Sequence, residues 1–210
     1  MTPTLHLALL GRFTATLDGQ PLDGLRTTKA QALLAYLAVY RQPHSRHALA
    51  GLLWGEEAAE DAKNNLRVIL ANLNQLLPDH LESTRLTITL RSDQPCRIDL
   101  DEFQTMTSAL ADSTKRPEIA SLQTAAALYR GDFLADLYVA KAPAFEEWLL
   151  TQRERWRRQQ MEVLETLADR LLAERRYAEA VGALRSLLTV EPWFEEGHRQ
   201  LMLTFSRLGD

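Results

Sequence analysis

The sequence predicts an α+β first half followed by an all-α second half, and three observations carry that prediction. Apolar and polar side chains alternate through residues 5–17, ahead of an Asp18-Gly19 pair. Three helical patterns and a short hairpin pattern then fill the chain to residue 100. From Asp101 onward every apolar pattern has the period of a helix. The expected division is therefore residues 1–100 and residues 101–210.

The first strands fall at residues 5–10 and 13–17, where Leu5, Leu7 and Leu9, then Phe13, Ala15 and Leu17, share a face. Asp18-Gly19 supplies the positive φ that a tight type I′ turn requires, and a third strand at 20–22 completes an antiparallel sheet. Thr27 or Thr28 caps a helix over 29–40 with Leu33, Leu34, Leu37 and Ala38 inward, and Pro43 stops it. Ser45 caps a second helix over 46–54, which Gly55 ends. An acidic linker leads to a third helix over 60–77, and Pro78 lies just past its end. Strands at 81–84 and 87–90, with Arg85-Leu86 at the tip, make a hairpin, and one more short strand covers 96–100.

In the second half, Asp101 caps a helix over 102–113, Pro117 opens one reaching Tyr129, and Gly131 closes it. A long helix spans 144–174, followed by helices over 177–190 and 195–208. Leu167, Ala168 and Leu171 recur 34 residues later as Leu201, Met202 and Phe205, with Arg175 falling opposite Gly209. Tyr177, Ala180, Leu184 and Pro192 stand at tetratricopeptide positions. The second copy stops after its first helix, at Asp210, so this half is expected to be truncated, its last helix left with apolar surface uncovered.

Composition narrows the function classes. The chain has 24 basic and 28 acidic residues for a net charge of −4, and neither half is basic on its own. A broad electrostatic footprint for nucleic acid is absent, which leaves only local positive clusters to serve. No run of about 18 apolar residues is present, so no membrane span is expected. Residues 1–11 lack a basic n-region and a cleavage site, and Cys96 is a single cysteine; together they predict a cytoplasmic protein. His6, His44, His47, His80 and His198 are scattered, without ligands at metal spacing. Phosphate-loop, dinucleotide and nucleophile-elbow motifs are missing. The expectation is a non-enzyme with neither cofactor nor metal.

The third helix carries the most chemical information. Ala62, Leu66, Ile69, Leu70, Leu73 and Leu77 form one apolar stripe. Asn64, Arg67, Val68, Ala71 and Gln75 lie opposite, flanked by Lys63 and Asn74. Such a face is either an ordinary solvated surface or a reader of base edges. Arg and Lys bond guanine O6 and N7, Asn and Gln bond adenine N6 and N7, and small residues allow close approach. Arg67 has its own alternative, pairing with Glu60 or Asp61 within two turns. Trp54 reads as a core anchor, and Trp148, Trp156 and Trp193 read as packing between helices. The run Arg153, Arg155, Arg157 and Arg158 does not share one helical face and has Glu146, Glu147 and Glu154 nearby, so it reads as solvated.

Sheet, three helices and terminal hairpin is the order of an OmpR-type winged helix-turn-helix, whose third helix enters the major groove. The stretches LGRFTATLDGQPL, TKAQALLAYLAVY, SRHALAGLLWGE, AKNNLRVILANLNQLL and GDFLADLYVAKAPAFEEWLLTQRERWRRQQMEVLETLADRLL follow in that order. In this order they resemble the Streptomyces antibiotic regulatory protein (SARP) family of transcriptional activators, over roughly residues 5–208. In that family an OmpR-type winged helix precedes a tetratricopeptide-like bacterial transcriptional activator domain. The resemblance implies a sequence-specific activator that binds double-stranded promoter DNA at direct repeats and engages RNA polymerase, with the helical half serving self-association or signal input. A regulatory protein–protein interaction module with weak or lost DNA binding is the alternative. The resemblance implies DNA contacts at Lys63, Asn64, Arg67, Ala71, Asn74 and Gln75, with Arg85 at the wing tip. Arg46, His47, Thr28 and Lys29 would lie near phosphates, and Trp54, Gly55, Glu56 and Glu57 would begin a loop facing polymerase. Relatives usually carry several arginines where this chain has Asn72, Asn74 and Gln75, which implies lower affinity for one copy and a leaning to A·T.

Overall fold

The structure is a computed structural model and describes residues 2–25, 27–111 and 117–209. Packing divides it into two compact units that are not consecutive segments. The first comprises Met1–Leu100 together with Phe133–Gln152, and the second Asp101–Asp132 with Arg153–Asp210. A boundary at residue 100 is thus accompanied by a segment, 133–152, that packs with the first unit.

In the first unit, β1 (Leu5–Ala8), β2 (Thr14–Leu17) and β3 (Gln20–Pro21) form the expected antiparallel meander. Asp18 and Gly19, at φ 47° and 80°, make the turn between β2 and β3. Helix α1 (Thr28–Tyr40) begins where the Thr27 hydroxyl accepts the Ala30 N–H, and ends on Arg41 at φ 44°. It is buried nearly all round, so its sequence reads as a run of Ala and Leu rather than a stripe. Strand β4 (His44–Ser45) was not expected; it leads into α2 (Arg46–Trp54), capped as expected by the Ser45 hydroxyl on the Ala48 N–H.

Helix α3 (Ala59–Leu76) buries Ala62, Leu66, Leu70 and Leu73. Each leucine so buried contributes about 1.5–3 kcal/mol, which fixes the rotation of the helix about its axis. The hairpin of β5 (Leu81–Ser83) and β6 (Thr87–Leu90) follows, and β4 adds to it in the order β4-β6-β5. Strand β7 (Cys96–Ile98) is shorter than expected and lies parallel to β1, giving the sheet order β3-β2-β1-β7. A parallel partner on β1 requires the crossover that the three helices supply.

Helix α4 (Asp99–Thr107) starts two residues before the expected Asp101 cap. The reason is tertiary: the Asp99 carboxylate, only 8% exposed, accepts the N–H groups of Leu9 and Leu10 at 2.9–3.0 Å. The helix gives way to a 3-10 turn, Ser108–Ala111, and the expected end at Ser113 lies outside the described residues. Within the first unit, Leu134 and Ala135 donate N–H bonds to the Leu9 and Gly11 carbonyls, Phe133 bridges Leu10, and Arg12 pairs with Asp136 at 2.9 Å. Trp148, from the first turns of α6 (Pro143–Ala173), donates its indole N–H to the Tyr40 hydroxyl and packs among Tyr36, Phe133 and Phe145.

In the second unit, α5 (Ile119–Leu128) starts two residues after Pro117. The remainder of α6, then α7 (Tyr177–Val190) and α8 (Glu195–Gly209), follow the expected pattern. Leu167, Ala168 and Leu171 are buried, and Arg175 takes a left-handed φ of 59° at the turn that follows α6. Gly197 lies in a close approach of α8: a Cβ there would sit 2.9 Å from the Phe194 ring and 3.1 Å from the Leu188 side chain, both of which would have to shift. Met202 and Phe205, the repeat counterparts of Ala168 and Leu171, are exposed. Trp193 corrects an expectation: it is 87% exposed rather than packed between helices, because it sits in the α7–α8 turn and not on either helix. Trp156 is buried as expected, edge-on to Phe103. The Arg157 guanidinium donates to the Val190 carbonyl at the end of α7 and pairs with Glu191, so this member of the basic run is a structural cap.

Candidate nucleic-acid interface

Burial of the leucine stripe turns the other side of α3 to solvent. Lys63, Asn64, Arg67, Ala71 and Gln75 are exposed and Asn74 is half-buried. Among the described residues Arg67 makes no ion pair, whereas Lys63 meets Glu60 at 3.3 Å, three residues back. That exposed pair is weak and would exchange readily for a phosphate. Val68, 66% exposed in the middle of the face, is its large apolar member. A β-branched methyl pair in that position fits apolar contact with a thymine methyl.

The two helix N-termini nearby share one arrangement, an exposed residue beside an engaged basic one. Thr28 and His47 are exposed in the first turns of α1 and α2, where free N–H groups and the helix dipole favour an anion. Lys29 is not available in the same way. Its ammonium lies 3.3 Å from Glu57 and 4.8 Å above the Trp54 ring, with its side chain largely covered. Arg46 donates from Nε to the Thr84 carbonyl and from Nη2 to the Ser83 hydroxyl, at 2.9 and 2.8 Å, so its guanidinium is committed to the hairpin.

At the hairpin tip Arg85 is exposed and makes no ion pair among the described residues. Beside it Leu86, the other expected tip residue, is 77% exposed. The Thr84 hydroxyl accepts the N–H groups of Leu86 and Thr87, which shapes the turn. At the end of α2, Trp54 is only 4% exposed, which removes it from any surface that a partner could touch. Gly55 and Glu56 are exposed, while Glu57 is shared between Lys29 and the Asn65 amide, which donates at 2.8 Å. The tether from Glu57 holds the start of α3 to α1 and α2. The Lys29–Glu57, Asn65–Glu57 and Arg46–hairpin partnerships could not be read from spacing, because each joins residues that no local helical or strand period relates.

A cleft of about 700 Å³ lies within the second unit, between the end of α5 and the end of α7. Tyr129, Asp132, Gln160, Ser186 and Thr189 contribute polar groups to it and Leu164, Val190 and Pro192 apolar ones. The Tyr129 hydroxyl donates to Asp132 at 2.9 Å, and burial, with that carboxylate, raises its pKa.

Comparison with known proteins agrees with this architecture. The chain is 29% identical over 214 residues to the regulatory protein AfsR of Streptomyces coelicolor, a match that covers 98% of this chain and 20% of that protein. It thus spans about a fifth of the length of that curated relative. Among solved structures it resembles Mycobacterium tuberculosis EmbR, a structure determined in complex with a low-affinity phosphopeptide. That likeness has a TM-score of 0.72 at 24% identity, covers 97% of this chain and 55% of that one, and supports the fold of a winged helix followed by a helical domain. The family model for the bacterial transcriptional activator domain matches residues 98–210, more than half of the chain. The chain therefore belongs to the bacterial transcriptional activator domain family, of the SARP type that its sequence resembles.

Proposed function

We propose that this chain is a sequence-specific DNA-binding transcriptional activator, with residues 1–100 as the winged-helix DNA-binding domain and 101–210 as a tetratricopeptide-like activator domain. The observation that carries the reading is the outward, amide-rich face of α3, held open by the burial of Leu66, Leu70 and Leu73 on its far side. Asn64, Arg67, Val68, Ala71 and Gln75 meet base edges in the major groove; Lys63 and Asn74 flank them. Arg85 and Leu86 brace the duplex at the backbone or minor groove. Thr28 and His47 present helix N-termini to phosphates.

The partners in this reading are promoter direct repeats and RNA polymerase, the latter through Gly55 and Glu56 and the exposed edge of Glu57. Two copies side by side recover the affinity that one amide-rich helix lacks, because the second copy binds at high effective concentration. The helical half serves self-association or signal input, with the cleft near Tyr129 as an entry point for a signal. Selection of bound duplexes from a random pool tests the reading. A recovered motif of repeated half-sites, bound with steep salt dependence, is the expected result. Failure to enrich any motif at low salt would refute it.

A second reading has its own observation. The acidic balance, and a span of about a fifth of AfsR, suit a regulatory interaction module within a larger signalling protein, with DNA binding weak or lost. Flat anisotropy traces with random and promoter duplexes at low salt would favour it.

A further inference from the structure

Arg46 stands at the junction of β4 and α2, and its register fixes what it can reach. His44 pairs with Ile88 and Ser45 with Thr87, so Arg46 arrives opposite Leu86 at the hairpin tip. Its backbone N–H donates to the Leu86 carbonyl at 2.9 Å. Its side chain donates to the Thr84 carbonyl and the Ser83 hydroxyl. One residue therefore satisfies two carbonyls and one hydroxyl on both arms of a turn whose N–H groups at Leu86 and Thr87 are taken by the Thr84 hydroxyl. Between these anchors Arg85 is the charged residue exposed at the tip, beside exposed Leu86.

We infer that Arg46 is a positioning residue for the wing: it acts on DNA by holding the Thr84–Thr87 turn so that Arg85 is presented in one place, and not by meeting a phosphate itself. The inference rests on the DNA-binding reading above. The chemistry requires arginine. A planar guanidinium offers donors in a fixed fork that reach the Thr84 carbonyl and the Ser83 hydroxyl together, whereas a lysine ammonium keeps the charge but loses the fork. A phosphate contact would tolerate that exchange far better, because lysine binds phosphate as a point charge.

The exchange supplies the test. The full chain is labelled with ¹⁵N and compared as wild type, Arg46→Lys, Arg85→Ala and the double variant. Backbone order parameters at Arg85 and Leu86 are expected to fall in Arg46→Lys from the rigid range near 0.85 to below about 0.6. Anisotropy titration with a short random-sequence duplex at low salt is expected to show each single variant about tenfold weaker, and the double variant no weaker than either. Wild-type order at the tip in Arg46→Lys overturns the inference. So does wild-type affinity in Arg46→Lys, or a double variant weaker by the product of the two single losses, since both mark a direct contact. Absence of duplex binding by the wild type overturns the DNA-binding reading and this inference with it. An inference that fails alone shows binding intact with the tip unmoved.

Discussion

Removing Arg67 and Lys63 together tests the α3 face at the point where it is chemically most committed. Arg67 is exposed and makes no ion pair among the described residues, so truncation to alanine removes no native ion pair and substitutes the best helix former. Lys63 gives up only its exposed contact with Glu60, the kind of neighbouring pair that contributes about 0.2–0.5 kcal/mol. For a chain of this size that corresponds to a melting shift of about 0.4–2 °C. A bidentate guanine contact contributes about 1–3 kcal/mol of discrimination, so the loss of Arg67 alone weakens binding to the selected site by about 5- to 150-fold. Loss of one phosphate contact at Lys63 flattens the slope of log affinity against log salt by about 0.9. Anisotropy titrations of wild type and double variant over a salt series, with thermal melts alongside, measure all three quantities. Binding within twofold of wild type at unchanged stability would refute the assignment of this face. A melting loss of 10 °C would show instead that the two residues hold the helix.

Asp99→Asn leaves one carbonyl oxygen facing three donor contacts and turns an amide NH₂ toward N–H groups; bonds to a charged acceptor contribute about 1.5–3 kcal/mol, so urea denaturation should show a loss of that order, and an unchanged midpoint would contradict it. His44 is partly buried against Tyr36 and Tyr40, its Nε2 lacks a hydrogen-bond partner among the described residues, and burial lowers its pKa below the usual histidine value. A lowered folded value means that the unfolded chain takes up the proton first. Stability is therefore fully present above the ordinary histidine pKa and declines as pH falls toward the folded value; an NMR titration placing His44 at or above the ordinary value would refute this. Trp193→Ala should change stability by less than about 0.5 kcal/mol, because its ring is solvated; a loss of several kcal/mol on thermal melting would restore it to the core.

The residue pattern alone settled whatever depends on neighbours within a turn or two. The Asp18-Gly19 turn, a threonine cap at Thr27 or Thr28, the Ser45 cap, the leucine stripe of α3 and the bounds of α7 are all local choices of φ, capping oxygen or helical period; the structure chose Thr27 of the two threonines. The outward face of α3 followed from that stripe, since burying one side of a helix exposes the other. Only the tertiary structure decided which of the charged candidates were already engaged. Lys29 lies over Trp54, Arg46 is bonded to the wing, and Asp99 receives N–H groups from residues 90 and 89 positions away. The parallel pairing of β7 with β1 and the packing of 133–152 with the first unit are of the same kind. A side-chain hydrogen bond extends about 3 Å and is indifferent to sequence separation, so its partner is fixed by chain closure and packing, which no local periodicity encodes.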